Sequence, residues 1–184
     1  MTNFNFSINQ EVKENVNKQL YPVDIHENNY ITAAEYNEEH DCLDITIENE
    51  NYKYRERMFN PTKNISGLTW TTPEKEIAKF LSRIKHFLKR FMTEEEASFS
   101  ASTFREMCEK TAELLLVHAI EPKKLISVKF VYDKNFKYPQ LPKNAPFLAS
   151  NDEKPLQYTK YEENNHLIPK EAVSTGSDST NDIF

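Results

Sequence analysis

The sequence predicts a mainly β domain that is interrupted by a helical insert and followed by a polar tail. Three observations carry that reading. Apolar and polar residues alternate through consecutive stretches between Tyr30 and Phe59, the period of half-buried strands. Helical spacing replaces alternation between Thr72 and Val117, and alternation returns at Ile126–Tyr132. From about Asn164 hydrophobicity collapses into a Ser/Thr/Asn-rich segment that cannot bury enough surface to offset ordering entropy.

The first twenty residues read as an arm or a weak amphipathic helix around Val12–Leu20. Tyr30–Tyr36 is the first strand, and Asn37 to Asp41 is a polar turn. Cys42–Glu48 sets Leu43, Ile45 and Ile47 against Asp44, Thr46 and Glu48. Asn49-Glu50-Asn51 connects it to Tyr52–Phe59, and Asn60-Pro61 stops that strand. Thr72 is a helix N-cap, with Pro73 at the first helical position and Glu74 and Glu76 at the positive dipole end. Ile77, Phe80, Leu81, Ile84, Leu88 and Phe91 form one apolar stripe of a helix over 73–92. Thr93 to Glu96 resets the chain with a capping-box pattern, and a second helix runs from about Thr103 to Val117 before Pro122 bars continuation. Ile126–Tyr132 is the fourth strand, with Lys129 on the face opposite Val128 and Phe130. The fifth is Phe147–Ala149 or Leu156–Tyr161.

Three strands, a helical segment, then one or two strands is the order of a five-stranded OB-type barrel, with one or two helices between strands three and four. A generic α+β sheet with a helical insert fits the same order. The expected organisation is an arm over 1–20, a barrel-like domain over 21–163 with its insert at about 72–120, and a flexible tail over 164–184. Glycine occurs only at Gly67 and Gly176, few for a small barrel, which spends glycines on bends and bulges.

Composition narrows the function class. The 184 residues are 38% hydrophobic and 12% aromatic, with 12 Phe, 9 Tyr and one Trp; rings serve either as core or as a stacking platform. No apolar run approaches a membrane span, and Met1 to Gln10 lacks the features of a secretory signal. Cys42 and Cys108 have no metal-type spacing, so a reduced, cytoplasmic protein is the expectation. The Gly-rich phosphate loop, His-Glu-x-x-His and Gly-x-Ser-x-Gly patterns are absent, and no enzyme activity or cofactor is expected. The knot from Glu38 to Asp44 mixes carboxylates, His40 and Cys42, and reads as a solvated acidic turn rather than a metal site.

The net charge of −6 is divided along the chain. Residues 1–50 hold two Lys against eleven acids, whereas residues 51–91 hold ten Lys or Arg against three Glu. Residues 123–143 form a second basic block of six Lys and one Asp. Local field, not net charge, draws a polyanion. Solvated charged faces explain the division equally well.

Two stretches carry a family resemblance. Tyr30–Pro61, "YITAAEYNEEHDCLDITIENENYKYRERMFNP", resembles the opening three-strand meander of the small OB-fold single-stranded DNA-binding proteins of tailed phages. Asn181-Asp182-Ile183-Phe184 is similar to the C-terminal tip of bacterial single-stranded DNA-binding proteins, although it has fewer acids and no Pro before Phe184. The resemblance implies a protein that coats single strands in DNA replication, recombination or repair, in a host cytoplasm if phage-encoded. It also implies recruitment of a polymerase, helicase or primase through Asp182, Ile183 and Phe184.

Binding single strands without sequence preference needs a cationic groove for phosphates and flat rings for bases. In Tyr52–Phe59, alternation places Lys53, Arg55, Arg57 and Phe59 on one face, with Lys63 and Trp70 close behind. Between Lys123 and Lys143, the cations Lys129, Lys134, Lys137 and Lys143 are interleaved with Phe136 and Tyr138 in a Pro-braced stretch. Lys75, Lys79, Arg83, Lys85, Lys89 and Arg90 spread over the polar face of the first helix, which reads as solvated. Affinity for single strands is expected to fall steeply with salt. Two other classes fit the same residues. One is a protein-interaction or virion-assembly module without DNA affinity, in which the cations are scattered. The other is an acidic DNA mimic, in which Glu35 through Glu50 form a continuous stripe.

Overall fold

The computed structural model describes residues 18–63, 71–132, 138–144 and 146–167. Five strands form one antiparallel sheet: β1 (Ile25–Asn37), β2 (Cys42–Glu48), β3 (Lys53–Phe59), β4 (Ile126–Lys129) and, numbered in chain order, β7 (Leu148–Ser150). Their spatial order is β3-β2-β1-β4-β7. β5 (Val131–Tyr132) and β6 (Pro139–Gln140) make a separate two-stranded ribbon. Between β3 and β4 lie α1 (Pro73–Leu88), α2 (Phe104–Leu115) and a π-helical turn at Leu116–Ile120; α3 (Lys160–Asn165) follows β7.

β1 is thirteen residues long because its two halves serve different neighbours. Ile25 to Asn29 pairs with β4, whereas Tyr30 to Asn37 pairs with β2. Register slips on both sides, between His26 and Asn29 and between Ile31 and Ala33, bend the strand at the changeover. Asn28 takes the left-handed backbone there, φ 57°, a conformation in which Asn is among the least penalised non-glycine residues. β2 lies between β1 and β3 and is buried along nearly its whole length. Leu43, Ile45 and Ile47 join Phe80, Ile84, Phe87, Leu115, Val128, Phe130 and Phe147 in one core. Among the described residues the rings of Tyr21, Phe80, Phe87, Phe91, Phe130 and Phe147 are buried in this core: Tyr21 stacks on Phe130 at 4.4 Å, and Tyr54 meets the same ring edge-on at 5.0 Å.

The starts of α1 and α2 match the sequence reading, whereas α3, capped by Thr159, was not expected. The Thr72 side chain accepts from the Lys75 N–H, and that of Thr103 from the Glu106 N–H. α1 stops at Leu88, four residues short of the expected end, and Thr93 with Glu96 caps a single turn rather than a helix.

Two expectations are corrected. The stretch Ile126–Tyr132 is not one strand. It breaks at Phe130, whose N–H donates to Asp24, so β5 leaves the main sheet. Of the two candidates for the fifth strand, Phe147–Ala149 matches the observed Leu148–Ser150 within one residue, whereas Leu156 to Thr159 forms no strand and Lys160 and Tyr161 already belong to α3. The sheet itself does not close: β3 and β7 are its two edges and do not pair with each other.

Candidate nucleic-acid interface

A groove of about 1080 Å³ occupies the gap between β3, α1 and the chain from Gln140 to Phe147. β3 supplies Arg57 and Phe59, the turn after it supplies Lys63, α1 supplies Lys79 and Arg83, and the last connection supplies Lys143. Glu56 and Glu76 are the carboxylates of the lining. Phe59 is 58% exposed, a large ring presented to solvent at the groove wall.

Arg83 holds the gap together. Its Nε donates to Glu56 Oε1 at 2.6 Å, its Nη1 donates to the Pro142 carbonyl at 2.8 Å, and its guanidinium lies 4.5 Å from the Phe147 ring centroid. One side chain thus links β3 to the connection before β7. Beneath it, His86 is buried, and its Nε2 accepts from the N–H groups of Phe147 and Leu148 at 3.2 and 3.3 Å. Burial, reinforced by the charges of Arg90, Lys89 and Arg83, pushes the His86 pKa down to about 3. The ring is therefore neutral at pH 7.

The alternation of β3 is realised: Lys53, Arg55, Arg57 and Phe59 point to the accessible face, and Glu56 and Met58 are buried. The neighbouring strand answers that face with acids. Glu48 sits opposite Lys53, Thr46 opposite Arg55, and Asp44 opposite Arg57. Lys53 bonds Glu48 at 3.0 Å, Arg57 bonds Asp44 at 3.0 Å, and Lys63 bonds Asp41 at 2.6 Å. Hydrogen bonds from Lys63, Tyr36 and Asn60 hold Asp41 down at about 2. Burial opposes ionisation of Asp44, but bonds from Arg57 and Asn37 outweigh it and keep its pKa low. Arg55 is exposed and has no carboxylate partner among the described residues.

The remaining candidates divide. Lys129 is a correction: it is 1% exposed, and its ammonium donates to Glu162 at 2.8 Å and to the Gln157 carbonyl at 3.1 Å. The chain from Leu156 into α3 covers the face that alternation had left to solvent, so Lys129 cannot meet a phosphate. Tyr138 is 68% exposed but stands outside the groove lining. Trp70, Lys134, Phe136, Lys137 and the tip residues Asp182, Ile183 and Phe184 lie outside the described residues. Pattern reading assigned Lys79 and Arg83 to a solvated helix face. Glu76, Lys79 and Arg83 do share one helix face at i, i+3 and i+7 spacing, but Pro142, the partner that gives Arg83 its place, is distant in sequence.

Among the described residues no group of three or more His, Cys, Asp or Glu is arranged to hold a metal ion, and no helix is long and apolar enough to cross a membrane. No known protein family, curated protein or solved structure matches the chain.

Proposed function

We propose that the protein binds single-stranded DNA in the groove between β3, α1 and the Gln140–Phe147 connection, on a sheet of OB type left open at one seam. The carrying observation is the convergence of five cations from four chain segments around an exposed phenylalanine, in a concave surface with two carboxylates. Cations at spaced positions suit a phosphate backbone, and Phe59 offers a face to a base. The strand order supports the OB reading. β1 pairs on both sides, so curling the sheet brings β3 and β7 toward one another, with the helices between the third and fourth strands. Recruitment of replication proteins through Asp182, Ile183 and Phe184 is the second half of the reading and rests on the sequence of the tip.

The pairing of the groove cations changes the expected salt response. When a phosphate takes Lys63 or Arg57 from its carboxylate, the counterion freed from the strand is offset by one taken up by the acid. Salt dependence is therefore shallower than a count of lysines and arginines implies. The test is a titration of a labelled oligothymidine strand at two salt concentrations, with duplex of equal length as competitor. Phe59→Ala is expected to cost about 1–3 kcal/mol of binding without loss of thermal stability. Equal affinity for duplex, or a folded Phe59→Ala protein that binds like the parent, rejects the reading.

The protein-interaction reading is favoured by a specific observation, the acid already bonded to each of Lys53, Arg57 and Lys63. Absence of oligothymidine binding at low salt selects it. The same pairs interrupt the acidic stripe that a DNA mimic needs, since Asp41, Asp44 and Glu48 each face a cation.

A further inference from the structure

A second groove, of about 760 Å³, lies on the other side of α1, walled by α2 and the segment from Glu94 to Ala101. Its construction follows from one ridge of α1. Ile77, Leu81, Lys85 and Lys89 stand at successive i+4 positions and all line it. The ridge is apolar at its N-terminal half and cationic at its C-terminal half. Leu81 is 44% exposed and faces the same groove as Phe99, 36% exposed, and Met107. The facing segment is built of small residues, Ala97, Ser98 and Ala101, which leave the space between the walls open. Lys85 is paired with Glu94 at 2.8 Å at the exposed rim, while Lys89 has no carboxylate partner among the described residues.

We infer that this groove docks a short peptide of a partner protein, with two apolar anchors followed by carboxylates. The apolar half needs side chains to cover Leu81 and Phe99, which a bare polyanion does not supply. The cationic half complements acids lying next to those anchors, with Lys89 the available charge. The volume falls in the range of roughly 300–1,000 Å³ typical of ligand sites. A concave site also disfavours a membrane surface, which needs a projecting apolar face. The inference does not rest on the nucleic-acid reading: α1 turns Lys79 and Arg83 to that groove and Ile77, Leu81, Lys85 and Lys89 to this one, with Ala78 and Ser82 at the border of both.

The experiment is selection from a random peptide library on the full chain, with depletion on a Leu81→Glu/Phe99→Glu protein. Enriched sequences should share two apolar residues beside a cluster of Asp or Glu. A synthetic peptide of that consensus should lose about tenfold or more in affinity for Lys89→Glu, the size of effect expected at an interface anchor. Replacing its acids by Lys should abolish binding to the parent and restore it to Lys89→Glu. Lys89 is exposed, so this arm stands even where the double variant does not fold. No enrichment, a consensus without acids, or equal binding to Lys89→Glu overturns the inference. Binding that appears only after residues 168–184 are removed would make the occupant this chain itself. A dimer that dissociates on Leu81→Glu would make it a second copy. Either result rejects a partner peptide.

Discussion

His86 is 3% exposed beneath the cationic groove, and its unprotonated Nε2 receives two backbone N–H groups, which places the ring proton on Nδ1 and leaves Arg90 Nη2, 3.5 Å from Nδ1, without a hydrogen bond to it. Protonating Nε2 removes both bonds and adds a charge beside Arg83 and Arg90. Its folded pKa, about 3, lies below the ordinary histidine value of 6.5, so the unfolded chain binds the proton more readily. Stability from this group is fully present above about pH 6.5 and is lost as pH falls toward 3. Denaturant midpoints should therefore drop between roughly pH 6.5 and 4.5, before the carboxylates Asp41, Asp44 and Glu48 begin to titrate. His86→Gln, which keeps an acceptor, should be less stable at pH 7 but flat across that window. A parent protein that is equally flat contradicts the assignment. Lys129 and Glu162 make a second residue-scale prediction. Removing either partner strands a buried charge or an unmatched acceptor, so Lys129→Met alone is expected to cost about 3–5 kcal/mol. Lys129→Met with Glu162→Leu should recover much of that loss in equilibrium unfolding. A double variant as unstable as the sum of the two singles would mean the pair is not acting as a unit.

At the scale of elements, the chain builds sharp corners almost without glycine. Among the described residues Asn28, Asp41 and Lys123 adopt positive φ, at 57°, 48° and 47°. Asn and Asp tolerate that region best of the larger residues. Lys123 is the costlier choice, and its ammonium rests 4.3 Å from the Tyr30 ring centroid. The β2–β3 connection uses the Asn49 side chain instead of a glycine: Oδ1 accepts from the N–H groups of Asn51 and Tyr52, while Nδ2 donates to Asn29. Asn49→Ala removes all three bonds and leaves the buried Asn29 Oδ1 with the Tyr21 hydroxyl as its remaining donor. The expected loss is about 2 kcal/mol, against about 0.5 or less for exposed Glu50→Ala; chemical denaturation of both variants checks it. Similar losses in the two would show that the turn does not depend on Asn49. The strand limits of β2 and the caps of α1 and α2 were legible in the chain because alternation, Thr N-caps and Pro73 are local signals. The break at Phe130 was not, because it depends on a backbone bond to Asp24.

For the molecule as a whole, the opposed charge blocks of the sequence become neighbours. The acidic block contains β2 and the basic block contains β3, and their antiparallel register sets Glu48 against Lys53 and Asp44 against Arg57. Two ion pairs, Lys53 with Glu48 and Arg57 with Asp44, thus join the two blocks across one strand pair. Asp41→Asn tests how far this restrains binding. Asn also tolerates the positive φ at that position, and the change frees Lys63 without burying a new charge. Single-strand affinity should rise, and the slope of log affinity against log salt should steepen by up to about one unit. An unchanged slope would place Lys63 outside the binding surface.

The chain alone marked β2, β3 with its two faces, and the starts of α1 and α2, since each depends on neighbours within a few residues. It also marked Arg57, Phe59, Lys63 and Lys143 as candidates for one surface, and the fold brings these four into one groove. Tertiary structure decided which cations meet solvent. Lys129 disappears under the chain leading to α3, Arg83 ties β3 to the connection before β7, and Lys53, Arg57 and Lys63 acquire acids. The reason is physical: side-chain period is a property of the local backbone, whereas burial and charge pairing depend on segments that only the folded sheet brings within reach.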